Sequence, residues 1–415
     1  MNLNKKIHNS RNFWVISAVY FLLLLKAGFF FVEEMNIVTA PLYLLYLLLI
    51  AAFYGKNSMD ENACLAAMIL FALRVVNWCF NGAPALNAAV MWVVNLCTAV
   101  VIVLLFSEQE FKKAFASVIY VMCIAGIVGA ILNRVNPRII QLLPRFSNSK
   151  GLAGYFGVFS FFSYHSGAFR LEGLFWEPGA FQAFIIFAML IENYRLGGRI
   201  KRLIVYSIAI VLTYSSTGIV CLAFFWLLKV SSSGKKNFRF LILIFLIAVV
   251  ALVYALLSSK LTGFLKYTLV DKFQGIFDYS VGGEHSSGSV RIDSVVLPLM
   301  NYYKNIPFGL GEGGYEELRR IVGHAMFTCT PVNYFVYDGL ISGCISFYGF
   351  YHQFSEKLTF LQRIAVVLLI MLSVSTESLS GNPILTVFIL YGFRNIRFTA
   401  GQKGALRQEY EYIGS

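Results

Sequence analysis

The sequence predicts an all-α polytopic integral membrane protein of about 12 transmembrane helices, with two large loops on its outer side. Three observations carry that expectation. Hydrophobic residues make up 58% of the chain and charged residues only 13%, against roughly 25% charged in an average soluble domain. That leaves too little polar surface to coat a soluble fold of this size. Apolar runs approaching the ~20 residues that cross a bilayer recur along the chain. Basic residues concentrate on alternate connections, as the positive-inside rule requires.

Spans are read at 13–31, 36–54, 62–80, 87–106, 113–132, 176–193, 201–214, 216–230, 239–257, 332–351, 360–376 and 382–394. Five helices thus fill 1–132, four fill 176–257 and three fill 332–394. The long loops are 133–175 and 258–331, and 395–415 is a tail. Two divisions rest on polar breaks. Residues 203–230 as one helix would measure about 42 Å, longer than the hydrocarbon core, and Tyr214-Ser215-Ser216-Thr217-Gly218 interrupts them. Thr376-Glu377-Ser378-Leu379-Ser380-Gly381-Asn382-Pro383 divides 360–394 in the same way.

The charges test this division. With the N-terminus in the cytoplasm, the inner segments 1–12, 55–61, 107–113, 194–202, 229–239, 352–363 and 394–415 hold 3, 1, 2, 4, 4, 2 and 4 Lys and Arg. The short outer loops 32–35, 81–86, 214–217 and 377–382 hold none. Both termini are therefore expected in the cytoplasm. The net charge of +13 belongs to those inner loops rather than to a nucleic-acid surface. A cleavable signal peptide is not expected, because the run Phe13–Phe31 is too long for one and no A-x-A-like site follows. Cys64, Cys79, Cys97, Cys123, Cys221 and Cys344 lie in apolar runs, Cys329 lies nearer the water, and no CxxC or metal spacing is present. Lys26 and Arg74 lie within spans, where charge is costly and often functional. Lys26 can snorkel outward, and Arg74 can pair inside the bundle.

The two long loops carry the candidate chemistry, since loops beyond about 12–15 residues are usually functional or disordered. The first holds Arg134, Arg138, Arg145 and Lys150, then the apolar run Leu152–Tyr164. That run is too short to span and reads as re-entrant or interfacial. Next comes Arg170-Leu171-Glu172-Gly173-Leu174-Phe175-Trp176-Glu177-Pro178-Gly179. Pro178 suits the first turn of a helix and puts Glu177 near its N-cap. Glu177 is then either a capping acid or a general base, and Arg170 either a structural arginine or an anion ligand. The second loop holds Glu284-His285, Arg291, Asp293, the glycine-rich Asn305–Tyr315 with Glu312, then Arg319, Arg320 and His324. The glycines lack GxxxxGK[ST] and no strand precedes them, so they read as a turn. The histidines lack metal spacing, and neither a metal nor another cofactor is expected. Arginines beside aromatics on an outer face suit a phosphate head group, which guanidinium binds bidentately. Fixed cations can stabilise a departing diphosphate.

On these residues the chain resembles the bacterial O-antigen polymerase (Wzy-type) family of the O-antigen polymerase/ligase group. The resemblance lies in Arg170-x-x-Gly173-x-Phe175-x-Glu177-Pro178, in Leu212-Thr213-Tyr214-Ser215-Ser216-Thr217-Gly218, and in a late loop with Ser289-Val290-Arg291, Pro307-x-Gly309-x-Gly311 and Asn333, followed by Gly339 and Gly343. It implies a GT-C-like glycosyltransferase of a bacterial inner membrane, with periplasmic loops. Undecaprenyl diphosphate-linked oligosaccharides would be both donor and acceptor, without a metal or a nucleotide sugar. A separate chain-length-regulating membrane protein is a further expectation. Arg170 and Arg291 would hold the diphosphate, Glu177 would be the base, and Arg319, Arg320 and Glu312 would be secondary ligands. Related ligases have His-Asn where this chain has Val332-Asn333, which favours polymerase over ligase; His324 could stand in for that histidine. The alternatives are a ligase of the same group, or a lipid-linked sugar transporter (flippase). Against the latter, no internal repeat is visible.

Overall fold

The computed structural model describes residues 3–25, 36–54, 61–147, 153–165, 168–231, 287–322, 327–354 and 358–394. The expected span at 239–257, all of 258–286 with Glu284 and His285, Lys26, Lys150, His324 and the C-terminal tail lie outside the described residues.

Five helices come first: α1 (Leu3–Leu25), α2 (Asn36–Tyr54), α3 (Glu61–Asn81), α4 (Leu86–Leu105) and α5 (Glu108–Val135). A short helical turn, α6 (Pro137–Ile140), follows α5. Among the described residues, α3, α4 and α5 are long and apolar enough to cross a membrane. The start of α5 is fixed by a capping box, in which the Ser107 hydroxyl accepts from the Glu110 N–H while the Glu110 carboxylate accepts from the Ser107 N–H. Next come α7 (Pro178–Tyr194), α8 (Ile200–Leu212) and α9 (Ser216–Ser231). The break expected at Tyr214–Gly218 is found at residues 213–215, with Ser216–Gly218 opening α9, and its turn puts Tyr214 at φ +50°. After α10 (Ser287–Asn301) and α11 (Gly311–Val322), a turn at Thr330–Val332 runs into π-helical Asn333–Tyr337. The described chain then closes with α12 (Leu340–His352), α13 (Phe360–Ser373) and α14 (Pro383–Arg394).

One expectation is corrected. The fold is not all-α: the apolar run read as re-entrant or interfacial is β-structure from residue 153, and beyond the end of α5 and the turn α6 the first long loop is not helical. It folds into an antiparallel meander of β1 (Arg145–Ser147), β2 (Ala153–Gly157), β3 (Ser160–His165) and β4 (Ala168–Leu171). The reason is packing against α5. Gly126 and Gly129 leave room on that helix for Leu171 and Phe162, whose side-chain carbons would each come within 2.1 Å of a Cβ at those glycines. The sheet therefore lies directly on the helix and delivers β4, with Arg170, to the start of α7.

α7 is the central element, buried from Pro178 to Glu192. Its Phe184 and Phe187 meet Phe115 of α5 and Phe388 of α14 in one aromatic cluster, with ring centroids 5.0 Å apart for Phe187–Phe388 and 5.2 Å for Phe115–Phe388. A close crossing of α12 and α14 supports it. Gly349 and Gly392 face one another there, and a Cβ on Gly392 would lie 1.9 Å from the Gly349 carbonyl oxygen.

The glycine-rich stretch after α10 is a turn only up to Leu310; Gly311, Gly313 and Gly314, expected in that turn, open α11 instead. Gly309 has φ +78°, and a Cβ there would stand 2.4 Å from the Tyr337 carbonyl oxygen. The turn is pinned by the end of α3: Asn77 donates to the Phe308 and Tyr337 carbonyls, and Asn81 to that of Gly309.

Candidate functional site

The site begins where β4 ends. Arg170 pairs with Ser163 across the sheet, and its guanidinium turns to the break after α8. There Nε donates to the Thr213 carbonyl at 3.1 Å and an Nη to that of Tyr214 at 3.3 Å. These carbonyls end a helix and carry partial negative charge. The break is itself held by side chains: the Thr213 hydroxyl accepts from the Ser215 N–H, and the Ser215 hydroxyl from the Gly218 N–H. Two of the five N–H donors of Arg170 are thus engaged among the described residues. Burial lowers its pKa, and Glu172 and Glu177 oppose that shift; a guanidinium stays charged regardless.

Gly173, at φ +61°, turns the chain back, and its carbonyl accepts from the Phe161 N–H at 2.6 Å. The turn sets Glu177 as the N-cap of α7, with Pro178 at the first helical position. The Glu177 side chain makes no capping hydrogen bond and is exposed, so capping does not use its carboxylate.

Instead it meets Glu377, on the connection between α13 and α14. Glu377 is 4% exposed. The Glu177 carboxylate, the Trp176 indole and Arg291 lie close enough to act on its carboxyl, whose buried Oε1 has no hydrogen-bond partner among the described residues. Burial first, then the neighbouring Glu177, push the Glu377 pKa well above the usual carboxylate range, with Arg291 opposing. That shift favours the protonated form of Glu377, which can donate toward Glu177. Two features position it. The Thr330 hydroxyl donates to the Glu377 carbonyl and accepts from the Leu379 N–H at 2.7 Å. Gly179, the second residue of α7, leaves the space in which Glu377 Oε1 sits.

Three expected site residues from two distant loops, Arg170, Glu177 and Arg291, thus come together. Arg291 stands on α10, partly exposed, and acts electrostatically on both Arg170 and Glu377. Glu377 and the fully buried Glu172 join them and were not anticipated. The sequence signal for Glu377 was present, an acid in the polar break 376–383, but it was read only as a division between spans.

The secondary candidates lie elsewhere. On α11, Arg319 donates to Glu312 at 2.7 Å, and Tyr337 donates to the same carboxylate at 2.8 Å. Arg320 pairs with Glu316 at 2.8 Å on the exposed face. None of Glu312, Arg319 and Arg320 has a hydrogen bond or ion pair to the Arg170–Glu377 cluster. No group of metal-ligating side chains occurs among the described residues. Arg74 pairs with Asp338 at 2.7 Å, both largely buried, and its guanidinium lies 4.8 Å from the Trp92 ring.

Chemically, the arrangement offers two guanidinium groups, an exposed carboxylate, and a buried carboxyl beside it whose pKa is raised. Such a set can hold an oxyanion and remove a proton in the same place. No family model matches this chain, and no curated protein or solved structure matches it significantly.

Proposed function

We propose that the protein is a glycosyltransferase of about 12 transmembrane helices and GT-C-like build, lying in a bacterial inner membrane with both termini cytoplasmic and the two long loops periplasmic. It polymerises surface polysaccharide by joining undecaprenyl diphosphate-linked repeat units. The observation that carries this reading is the meeting of Arg170 and Arg291 with the Glu177–Glu377 carboxyl pair. Cations for a departing diphosphate and a base for an acceptor hydroxyl then lie in one cluster.

The acceptor hydroxyl oxygen attacks the anomeric carbon of the donor, and the bond from that carbon to the diphosphate oxygen breaks. Glu177 takes the acceptor proton. Glu377, carrying its own proton, stabilises the Glu177 carboxylate by hydrogen bonding. Arg291 and Arg170 balance the charge that collects on the leaving undecaprenyl diphosphate.

The test is surface polysaccharide from a deletion strain on a silver-stained gel. Collapse of the ladder to core bearing a single repeat supports the reading, whereas core with no repeat points to a ligase or flippase. Complementation with Glu177→Gln at wild-type abundance should leave the single repeat; a full ladder would remove the base from this mechanism.

A further inference from the structure

Glu172 is a fully buried acid of the cluster that the chemistry above leaves unused. Its place follows from the strand. Successive residues of a strand point to opposite faces, and Leu171, at the end of β4, packs on α5 in the space beside Gly126. Arg170 and Glu172 therefore share the other face, about 7 Å apart along the chain, on the side of the break after α8. The ladder continues past Glu172, because the Phe161 N–H donates to the Gly173 carbonyl at 2.6 Å. The Glu172 carbonyl in turn accepts from the Phe175 N–H at 3.1 Å. The backbone around Glu172 is thus fixed, and burial confines its side chain.

Two roles are open to such a carboxylate, and the geometry separates them. A counter-ion whose task is to hold Arg170 would be needed to place the guanidinium. Arg170 is placed without one, since its hydrogen bonds run to the Thr213 and Tyr214 carbonyls. The effect of Glu172 on Arg170 is electrostatic: after burial, its charge acts on the guanidinium most strongly, ahead of Glu177, Arg291 and Glu377. Arg170 and Arg291 are in this way matched by Glu172 and Glu177, with Glu377 uncharged in its favoured form. Two uncompensated guanidinium groups would hold a diphosphate tightly through charge-assisted hydrogen bonds. They would go on holding it once its sugar chain had left, and slow product release limits many enzymes. A buried carboxylate beside one of the cations lowers that affinity without removing an N–H donor.

We propose that Glu172 sets how tightly the site holds a diphosphate. Acting through Arg170 and not on the substrate, its carboxylate weakens the grip on spent undecaprenyl diphosphate, so that the lipid leaves after each transfer. The proposal rests on the polymerase reading and adds control of product release to it.

The experiment is a thermal-shift titration of the purified full-length protein with undecaprenyl diphosphate and with undecaprenol, which has the same chain and no phosphate. Glu172→Gln should bind undecaprenyl diphosphate about tenfold more tightly than wild type, the effect of one unit charge on another about 10 Å away at an effective dielectric of ~20. It should bind undecaprenol as wild type does. Added undecaprenyl diphosphate should inhibit polymer formation by this variant at a correspondingly lower concentration. Glu172→Met removes the charge and leaves no buried polar group in need of a partner, so it keeps the test open if the glutamine variant does not fold; it should tighten binding as much. A carboxylate that only holds Arg170 in place predicts the opposite, because the loosened guanidinium would bind the anion less well. Unchanged or weaker binding in either folded variant would overturn the proposal. Loss of folded protein in both would overturn it too, by assigning Glu172 to the fold. A wild type that binds undecaprenyl diphosphate no better than undecaprenol, with Arg291→Ala the same, would bring down the polymerase reading itself, and the proposal with it.

Discussion

Gly179→Ala separates the site from the fold. A Cβ at this position would stand 2.2 Å from Glu377 Oε1 and 3.2 Å from its carboxyl carbon. The oxygen contact is about 1 Å inside ordinary packing distance, so the Glu377 carboxyl must swing aside. Gly179 lies in the first turn of α7, where alanine improves helix propensity by roughly 0.5–1 kcal/mol. Driving Glu377 off its rotamer costs about 0.5–1.5 kcal/mol. These nearly cancel, and stability should stay within about 1 kcal/mol of wild type. Activity should not, because the displaced Glu377 can no longer stabilise Glu177, and misplacing a supporting group by ~1 Å can cost on the order of 10²-fold. The assay pairs polymer yield at matched membrane abundance with the Tm of the purified protein. A normal ladder would show that the position of Glu377 does not matter and would refute the reasoning. A lost ladder with a large fall in Tm would refute it differently, by showing that Gly179 serves the fold.

Arg170→Ala should lose polymer and also fall in abundance, because it leaves the Thr213 and Tyr214 carbonyls without their charged donor at about 1.5–3 kcal/mol. Arg170→Lys should recover abundance more than polymer; equal recovery of both, read by immunoblot and gel, would argue against an anion-binding role. Gly392→Ala should be strongly destabilising, by roughly 1–3 kcal/mol or more, because its Cβ meets the Gly349 backbone oxygen rather than a side chain that can move; an unchanged Tm would contradict the close α12–α14 crossing. The raised pKa of Glu377 gives stability that is complete below its unfolded value of about 4.5 and is lost as pH rises through its folded value. Tm of the purified protein should therefore fall across that interval in wild type and stay flatter in Glu377→Gln, and parallel curves would show that Glu377 is not protonated in the folded state.

The helices were legible because their signals are local: apolar length, Pro178 at a first turn, the polar break at Tyr214–Gly218. The sheet was not. Phe161 and Phe162 are adjacent on β3, and both are buried, so the strand shows no alternation and reads as a plain apolar run. What makes it a strand is the groove left by Gly126 and Gly129, on a helix well upstream. The site divides along the same line. Arg170 and Glu177 share an eight-residue stretch and could be picked out together. Glu377 gains its meaning from Gly179 and Thr330, which are far from it in the chain. The three stretches behind the resemblance then prove unequal. The Arg170–Pro178 and Leu212–Gly218 stretches belong to one structure, since the carbonyls of the second hold the guanidinium of the first. In Pro307–Gly311, Gly309 lets a turn approach the 336–339 backbone and Gly311 lets it approach Asn77 and Asn81, both tasks of packing. Substitutions there should cost folding before chemistry, whereas Arg291, in the same loop, lies within electrostatic reach of Arg170 and Glu377. The chemistry of the second loop is therefore tested at Arg291, and its architecture at Gly309.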